Sequence, residues 1–305
     1  QAPDATAAAP EGVTPAPLAL LEGRVPMGGR ASLRPILQGE GLTVARFATD
    51  SGVWTLARDA EDAACLTVEA VSEEAAPDAE DTLAYAVAVP AVAPPEGAVF
   101  DNLLAASCTL SMLTEDGFAL LDSERDYAWY LADCPDGAKI RLGADLVIEG
   151  SHTLAAGALE GVSVFDGAGR TLTLAPGASL VGEGKNVGLI AAQGRAGGTV
   201  VKDLRVSVEG TLSGGTSNLG ALVGYTDADF PVAVSNVCVS VSGRLEGLGS
   251  VGGLVGGFWN AADSVIADAR VDLLEGAVLS GGGEDANRGV GGALGALRTN
   301  GSSNG

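Results

Sequence analysis

One short sequence recurs along the second half of this chain at a nearly fixed interval, and that recurrence restricts the fold more than any other feature. Val187-Gly-Leu-Ile-Ala-Ala192, Leu219-Gly-Ala-Leu-Val-Gly224, Val251-Gly-Gly-Leu-Val-Gly256 and Val290-Gly-Gly-Ala-Leu-Gly295 start 32, 32 and 39 residues apart. A period of this size marks stacked units, each burying its apolar side against the next, and not one closed globule. Taken alone, Val251-Gly-Gly-Leu-Val-Gly256 would pass for a phosphate-cradling loop. Its registered copies make the glycines parts of a stackable coil instead.

A second element follows each of the first three hexapeptides. Val201-Lys-Asp-Leu-Arg-Val-Ser-Val-Glu-Gly210, Val234-Ser-Asn-Val-Cys-Val-Ser-Val-Ser-Gly243 and Ile266-Ala-Asp-Ala-Arg-Val-Asp-Leu-Leu-Glu-Gly276 superpose residue for residue up to the last glycine. Val206, Val239 and Val271 fall at one inward position, and Val208, Val241 and Leu273 at the next, which is strand alternation. Degenerate copies lie upstream at Leu172-Thr-Leu174 with Ala178-Ser-Leu180, and at Leu146-Val-Ile-Glu-Gly150. The stack is therefore expected to begin near residue 139 and to hold about five coils, each rising about 4.8 Å by parallel pairing with its neighbour. Short strands without helical periodicity between them predict a right-handed parallel β-helix over residues 118–305. Asp203, Asn236 and Asp268 would then form one vertical column, with an amide between two carboxylates.

The hexapeptide followed by a Val/Ile-x-Asp/Asn-x-x-Val strand resembles the GLUG repeat of bacterial surface proteins, a group that includes large adhesins and secreted IgA-cleaving metallopeptidases. Ser123-Glu-Arg-Asp-Tyr-Ala-Trp-Tyr-Leu, Ala138-Lys-Ile-Arg-Leu-Gly-Ala-Asp-Leu and Phe165-Asp-Gly-Ala-Gly-Arg-Thr-Leu are similar to segments that commonly precede such repeats. The resemblance covers about residues 118 to 305. It departs at Leu189-Ile-Ala-Ala192 and in the expansion around Gly281-Gly-Gly-Glu-Asp-Ala-Asn-Arg288. It implies an exported, non-enzymatic surface protein with an adhesive or spacer role, taking a host or microbial surface glycan or protein as partner. The chain runs on from the last hexapeptide into Thr299-Asn-Gly-Ser-Ser-Asn-Gly305, where a further repeat of a larger protein is expected to continue. A monomer able to associate end to end through an exposed sheet edge is the expected state.

Residues 120–134 carry a helix signature, with Ser123 as N-cap, acidic residues in the first turn, and Tyr127, Tyr130 and Leu131 on one face before Pro135-Asp-Gly stops it. A helix at this place is expected to cap the end of the stack. The alternative is a sugar-binding platform made of Tyr127, Trp129 and Tyr130.

Ahead of it, residues 1–16 lack periodicity and are expected to be disordered. Their Ala/Pro composition resembles what remains after an export signal is removed, although a cytosolic start fits equally well. Residues 17–95 hold six β-type runs about ten residues apart: Leu18 to Leu21, Ala31 to Leu37, Leu42 to Ala48, Val53 to Ala57, Cys65 to Val71 and Leu83 to Val89. The segment resembles a bacterial immunoglobulin-like β-sandwich, with Trp54 as its core tryptophan. Glu73 to Asp81 reads as a solvated acidic loop, with calcium binding as the alternative. Residues 96–117 are expected to form a linker or domain edge, introduced by the paired prolines of Ala91 to Gly97.

Composition excludes several functions. With 39 acidic and 17 basic residues the formal charge is -22, which repels nucleic acid and anionic lipid, and no apolar run is long enough to span a membrane. Four cysteines without Cys-x-x-Cys spacing allow at most one bridge, Cys65 with Cys108, or four separate thiols including Cys134 and Cys238. The single histidine, His152, is read as a solvated turn residue, so histidine-based zinc chemistry and the metallopeptidase motif are absent. Nothing here assigns a catalytic residue, a metal or a cofactor. The competing reading is a calcium-assisted polysaccharide-degrading β-helix, whose carboxylates would be Asp227 with Asp229, or Asp203 and Asp268 beside Arg205 and Arg270.

Overall fold

The computed structural model describes residues 18–20, 30–35, 43–49, 54–58, 60, 66–70, 76–88, 103–114, 116–260, 263–282 and 288–298. The N-terminal stretch 1–16, the paired prolines and the pairing of Cys65 with Cys108 lie outside what is described. The chain divides into two compact units, residues 1–117 and 118–305.

Among the described residues, the strands of the first unit pair antiparallel. One sheet has the order β1 (Leu18–Leu20), β2 (Arg30–Pro35), β5 (Leu66–Ala70), β4 (Trp54–Arg58). The other runs β3 (Thr43–Thr49), β6 (Glu80–Ala88), β7 (Leu103–Ser111). The first six strands fall on the six turn-punctuated runs. Their alternation is visible where Leu66 and Val68 are fully buried around half-buried Thr67, and where Leu83 is buried between exposed Thr82 and Ala84. Trp54 is buried, as expected of a packing residue. The region expected as a linker over residues 96–117 instead holds β7, which pairs with β6 along its whole length from Glu80↔Ser111 to Ala88↔Leu103. Its Leu-Leu-Ala-Ala-Ser-Cys-Thr-Leu-Ser sequence lacks a clean alternation, so local pattern does not betray the strand.

The second unit is a parallel β-solenoid of about four turns. Each full turn begins with a long strand, β17 (Thr199–Val208), β21 (Val232–Val241) or β25 (Val265–Leu273), and these pair in parallel from Thr199↔Val232 to Val241↔Leu273. A second sheet stacks β11 (Ser151–Leu154), β14 (Ser179–Gly182), β18 (Thr211–Gly214), β22 (Arg244–Gly247) and β26 (Val278–Ser280). The hexapeptides build two further sheets: β15 (Asn186–Val187), β19 (Asn218–Gly220), β23 (Ser250–Gly252), β27 (Val290–Gly291), and β16 (Ala191–Gln193), β20 (Val223–Thr226), β24 (Val255–Trp259), β28 (Leu294–Arg298). These have four strands each, where about five coils were expected. The degenerate copies supply only the long-strand and second-sheet positions, through β10 (Leu146–Ile148), β12 (Val164–Asp166), β13 (Thr171–Leu174), β11 and β14.

Two backbone devices shape each turn. Within the long strands, inward residues are Thr199 and Val201, then Leu204, Val206 and Val208, so the alternation slips by one at Asp203. Asp203, Asn236 and Asp268 sit at φ of 51°, 52° and 50°, and the ladder passes from Lys202↔Ser235 to Leu204↔Val237 across them. A single left-handed residue thus turns a corner, and Asp and Asn tolerate that conformation better than most side chains. The column expected at ordinary outward strand positions is a column of corners.

The other device is in the hexapeptide. A Cβ on Gly220 would collide with the carbonyl oxygen of Val223, and Gly188, Gly252 and Gly291 face the equivalent oxygens of Ala191, Val255 and Leu294. None of these glycines has positive φ, so close backbone approach, and not conformational freedom, fixes the residue type.

At the N-terminal end, β8 (Phe118–Leu121) pairs in parallel with β9 (Lys139–Leu142), so the solenoid starts before residue 139. The helix, expected over 120–134, is α1 (Glu124–Asp133), inserted between these two strands. Its capping box has the Ser123 hydroxyl accepting from the Asp126 N–H at 3.2 Å while the Asp126 carboxylate accepts from the Ser123 N–H at 3.0 Å. Tyr127 and Tyr130 are fully buried. The Tyr127 hydroxyl donates to the Leu189 carbonyl at 2.9 Å, and the Tyr130 hydroxyl donates to the Ile190 carbonyl. In the next turn the equivalent carbonyls, Ala221 and Leu222, accept from the N–H groups of Leu189 and Ile190. The two phenols therefore stand where a preceding turn would have donated, and burial pushes both well up from the usual tyrosine range, which keeps them protonated donors.

Two sets of substitutions test the glycine contacts and the cap. Gly220→Ala is expected to cost about 1–3 kcal/mol or more through overpacking, while Gly282→Ala, whose Cβ would meet nothing within 4 Å, leaves the thermal midpoint unchanged. Tyr127→Phe combined with Tyr130→Phe keeps the rings and strands two carbonyls. A loss of about 1–3 kcal/mol per carbonyl in denaturant melts is expected, and an unchanged midpoint would refute the capping role.

Candidate functional site

The corner column is the first place where charged side chains converge. The Asn236 amide donates to the Asp203 carboxylate at 2.8 Å, one turn below, and Asp268 follows one turn above. A groove of about 230 Å³ runs past these corners, lined by Asp203, Arg205, Asn236, Cys238, Asp268 and Arg270 among others. The structure thus brings together the two acid–arginine pairs read from the sequence. Their arginines, however, turn elsewhere: Arg205 donates to the Gly169 carbonyl at 2.8 Å, and Arg270 to Asp272 at 2.8 Å. Among the described residues, no three Asp, Glu, His or Cys side chains cluster closely enough to hold a metal.

A second charged column is buried deeper. Asp166 lies in register between Arg141 and Lys202, at 3.3 Å and 3.2 Å. Burial pushes its carboxyl up, but the Ala168 N–H and the Lys202 and Arg141 cations outweigh that and hold it below the usual carboxylate value. Arg141 also stacks its guanidinium 3.9 Å from the Phe118 ring centre. This arrangement ties β9, β12 and β17 together and leaves no carboxylate poised for acid–base work.

The carboxylates of Tyr225-Thr-Asp-Ala-Asp-Phe230 are not a matched pair either. One oxygen of Asp227 accepts from the N–H groups of Asp229 and Phe230 at 2.9 Å and 3.0 Å, and the other accepts from the Tyr225 hydroxyl at 2.9 Å. Asp227 is thereby the brace of its own loop. Burial, and then the Asp227 carboxylate, push the Tyr225 phenol up to about 12. Asp229 is exposed.

Next to that loop is a cluster that the sequence reading passed over. The rings of Tyr225 and Trp259 meet edge to face, with centres 5.7 Å apart and planes at 78°, and the Arg298 guanidinium lies 4.5 Å from the Trp259 ring centre. These residues come from successive turns: Tyr225 pairs with Gly257, two residues before Trp259, and Trp259 pairs with Arg298. Tyr225, Phe230, Phe258 and Trp259 are all half-buried. The available signal was the spacing of Trp259 and Arg298, which follows the interval between the last two hexapeptides.

The remaining expectations resolve simply. A platform of Tyr127, Trp129 and Tyr130 is not presented to solvent, because Tyr127 and Tyr130 are buried cap donors and only Trp129 is partly exposed. His152 lies in strand β11 and not in a turn. Its Nε2 is 2.7 Å from Glu124 of α1, whose other contacts include the Gly150 N–H at 2.8 Å, so it fastens the cap. Of the acidic loop Glu73 to Asp81, Glu80 and Asp81 open β6. Neither Cys134 nor Cys238 forms a disulfide. Among the described residues, no helix is long and apolar enough to cross a membrane.

No family model, no curated protein and no solved structure matches this chain.

The corner column yields a direct check. Asn236→Asp removes the donor to Asp203 and stacks three carboxylates, so a loss of about 1 kcal/mol is expected, reduced at high salt. Thermal midpoints equal to those of the parent chain at low salt would contradict the column's role.

Proposed function

We propose that this chain belongs to an exported, non-enzymatic surface protein with an adhesive or spacer role. In this reading its second unit is a GLUG-type, right-handed β-helix and its first unit an immunoglobulin-like β-sandwich. The observation that carries the reading is where the polar and charged side chains go. Asp227, Asp166, Asp203 and Asn236 all brace corners, loops or neighbouring turns, as scaffold parts do. The stacked hexapeptides make a rigid support on which connecting segments can vary. The strong negative charge suits an exposed surface and disfavours polyanionic partners.

Two measurements test this. Protease treatment of intact cells that make the protein should remove the chain, whereas protection until lysis would refute surface exposure. Incubation with a polysaccharide panel and calcium should give no depolymerisation. Turnover that disappears in Asp227→Ala with Asp229→Ala would replace this reading with the enzymatic one.

A further inference from the structure

We propose that the strip formed by Asp227, Tyr225, Trp259 and Arg298 on the side of the solenoid binds an extended, neutral carbohydrate chain lying along the stacking axis. This rests on the surface-ligand reading above and adds the ligand class and the residues.

The first reason is that the coil does not need these rings. Its layers are built from aliphatic side chains, and the aromatic residues that serve packing, Tyr127, Tyr130 and Phe165, are fully buried. Tyr225 shares its column with Gln193, Gly257 and Ala296, so turns stack equally well with no ring at that position. The Tyr225 ring lies over Gly257, where an added Cβ would meet the Asn218 side chain and then the ring, and Trp259 meets that ring edge to face. In a chain with 4% aromatic residues, a half-exposed pair made of Tyr225 and Trp259 calls for a purpose other than burial.

The second reason is chemical. Aromatic surface flanked by a few fixed polar groups is the usual make-up of a small-ligand site. Here the planar carboxylate of Asp227 stands at one end, already oriented by two backbone N–H groups, and the planar guanidinium of Arg298 at the other. A sugar has apolar C–H faces for the rings and hydroxyls that both donate to a carboxylate and accept from a guanidinium. The strip carries Asp227 and Arg298, with Asp229 as a further carboxylate near Tyr225, within a chain of net charge -22, so a neutral polymer is favoured and a sulfated or uronic one is repelled.

The third reason is geometric. The groups come from consecutive turns, which rise by about 4.8 Å each. Successive units of an extended polysaccharide advance by a similar step, so each turn meets one unit.

The test is calorimetric titration of the full chain with cellohexaose, chitohexaose and mannohexaose, with heparin as the anionic comparison. Binding of at least one neutral hexasaccharide and none of heparin is expected. Trp259→Ala should weaken that binding by about ten-fold or more. Tyr225→Gln, which installs the residue that Gln193 already supplies one turn below, should do the same while the chain still unfolds in one cooperative transition, and it keeps the test valid if Trp259→Ala fails to fold. No binding of any of the three sugars, binding unchanged in Tyr225→Gln, or preference for heparin would overturn the proposal. A chain that is shaved from cells yet binds no hexasaccharide refutes this site alone. A chain that binds sugar but is protected on cells refutes the surface reading alone.

Discussion

The second unit depends on backbones that approach more closely than any side chain allows. In each hexapeptide the glycine at the second position faces a carbonyl oxygen three residues ahead in its own turn, and the glycine at the sixth position faces main-chain atoms of neighbouring turns, as Gly256 does with Leu219 and Gly224. Those contacts let two short strands fold against each other inside one turn while each continues its parallel ladder to the next. With a larger residue the arc widens, and the ladders of all four sheets lose their common rise. The first copy shows the tolerance of the sixth position, where Ala192 replaces glycine at the end of the stack that has no preceding hexapeptide.

Given that rise, every position repeats along the axis, and side chains are selected in columns. Apolar columns such as Leu172, Val206 and Val239 make a thin continuous core. Polar columns must avoid like charges at strand spacing. The solutions are an amide beside a carboxylate at Asp203 and Asn236, a carboxylate between two cations at Asp166, and an amide ladder in which Asn218 donates to Asn186 at 2.8 Å. The same logic makes the first turn a problem, since its outward carbonyls have no donors. Tyr127 and Tyr130 solve it from a helix that His152 and Glu124 hold in place.

Against this background the conspicuous acids lose their catalytic appearance and the inconspicuous aromatics gain interest. Asp227 and Asp229 are two residues apart in sequence, but one is a loop brace and the other an exposed neighbour. Tyr225, Trp259 and Arg298 are scattered in sequence and form one strip only because the turns stack. No comparison with known proteins adds a ligand to this scaffold.

The sequence by itself determined the repeat, its parallel stacking, the inward valines, the capped helix at Ser123 and six strands of the first unit. Each of those is written in local spacing, which a period of two or of one turn makes legible. Only the tertiary structure decided the rest. The corner at Asp203, Asn236 and Asp268 needs a backbone angle that alternation does not announce, and β7 is a strand because β6 offers it a partner. The glycines of Val251-Gly-Gly-Leu-Val-Gly256 are required by atoms of adjacent turns, and the tyrosine hydroxyls by carbonyls some 60 residues away. Contacts of that kind depend on what stacking brings together, and a linear pattern does not carry them.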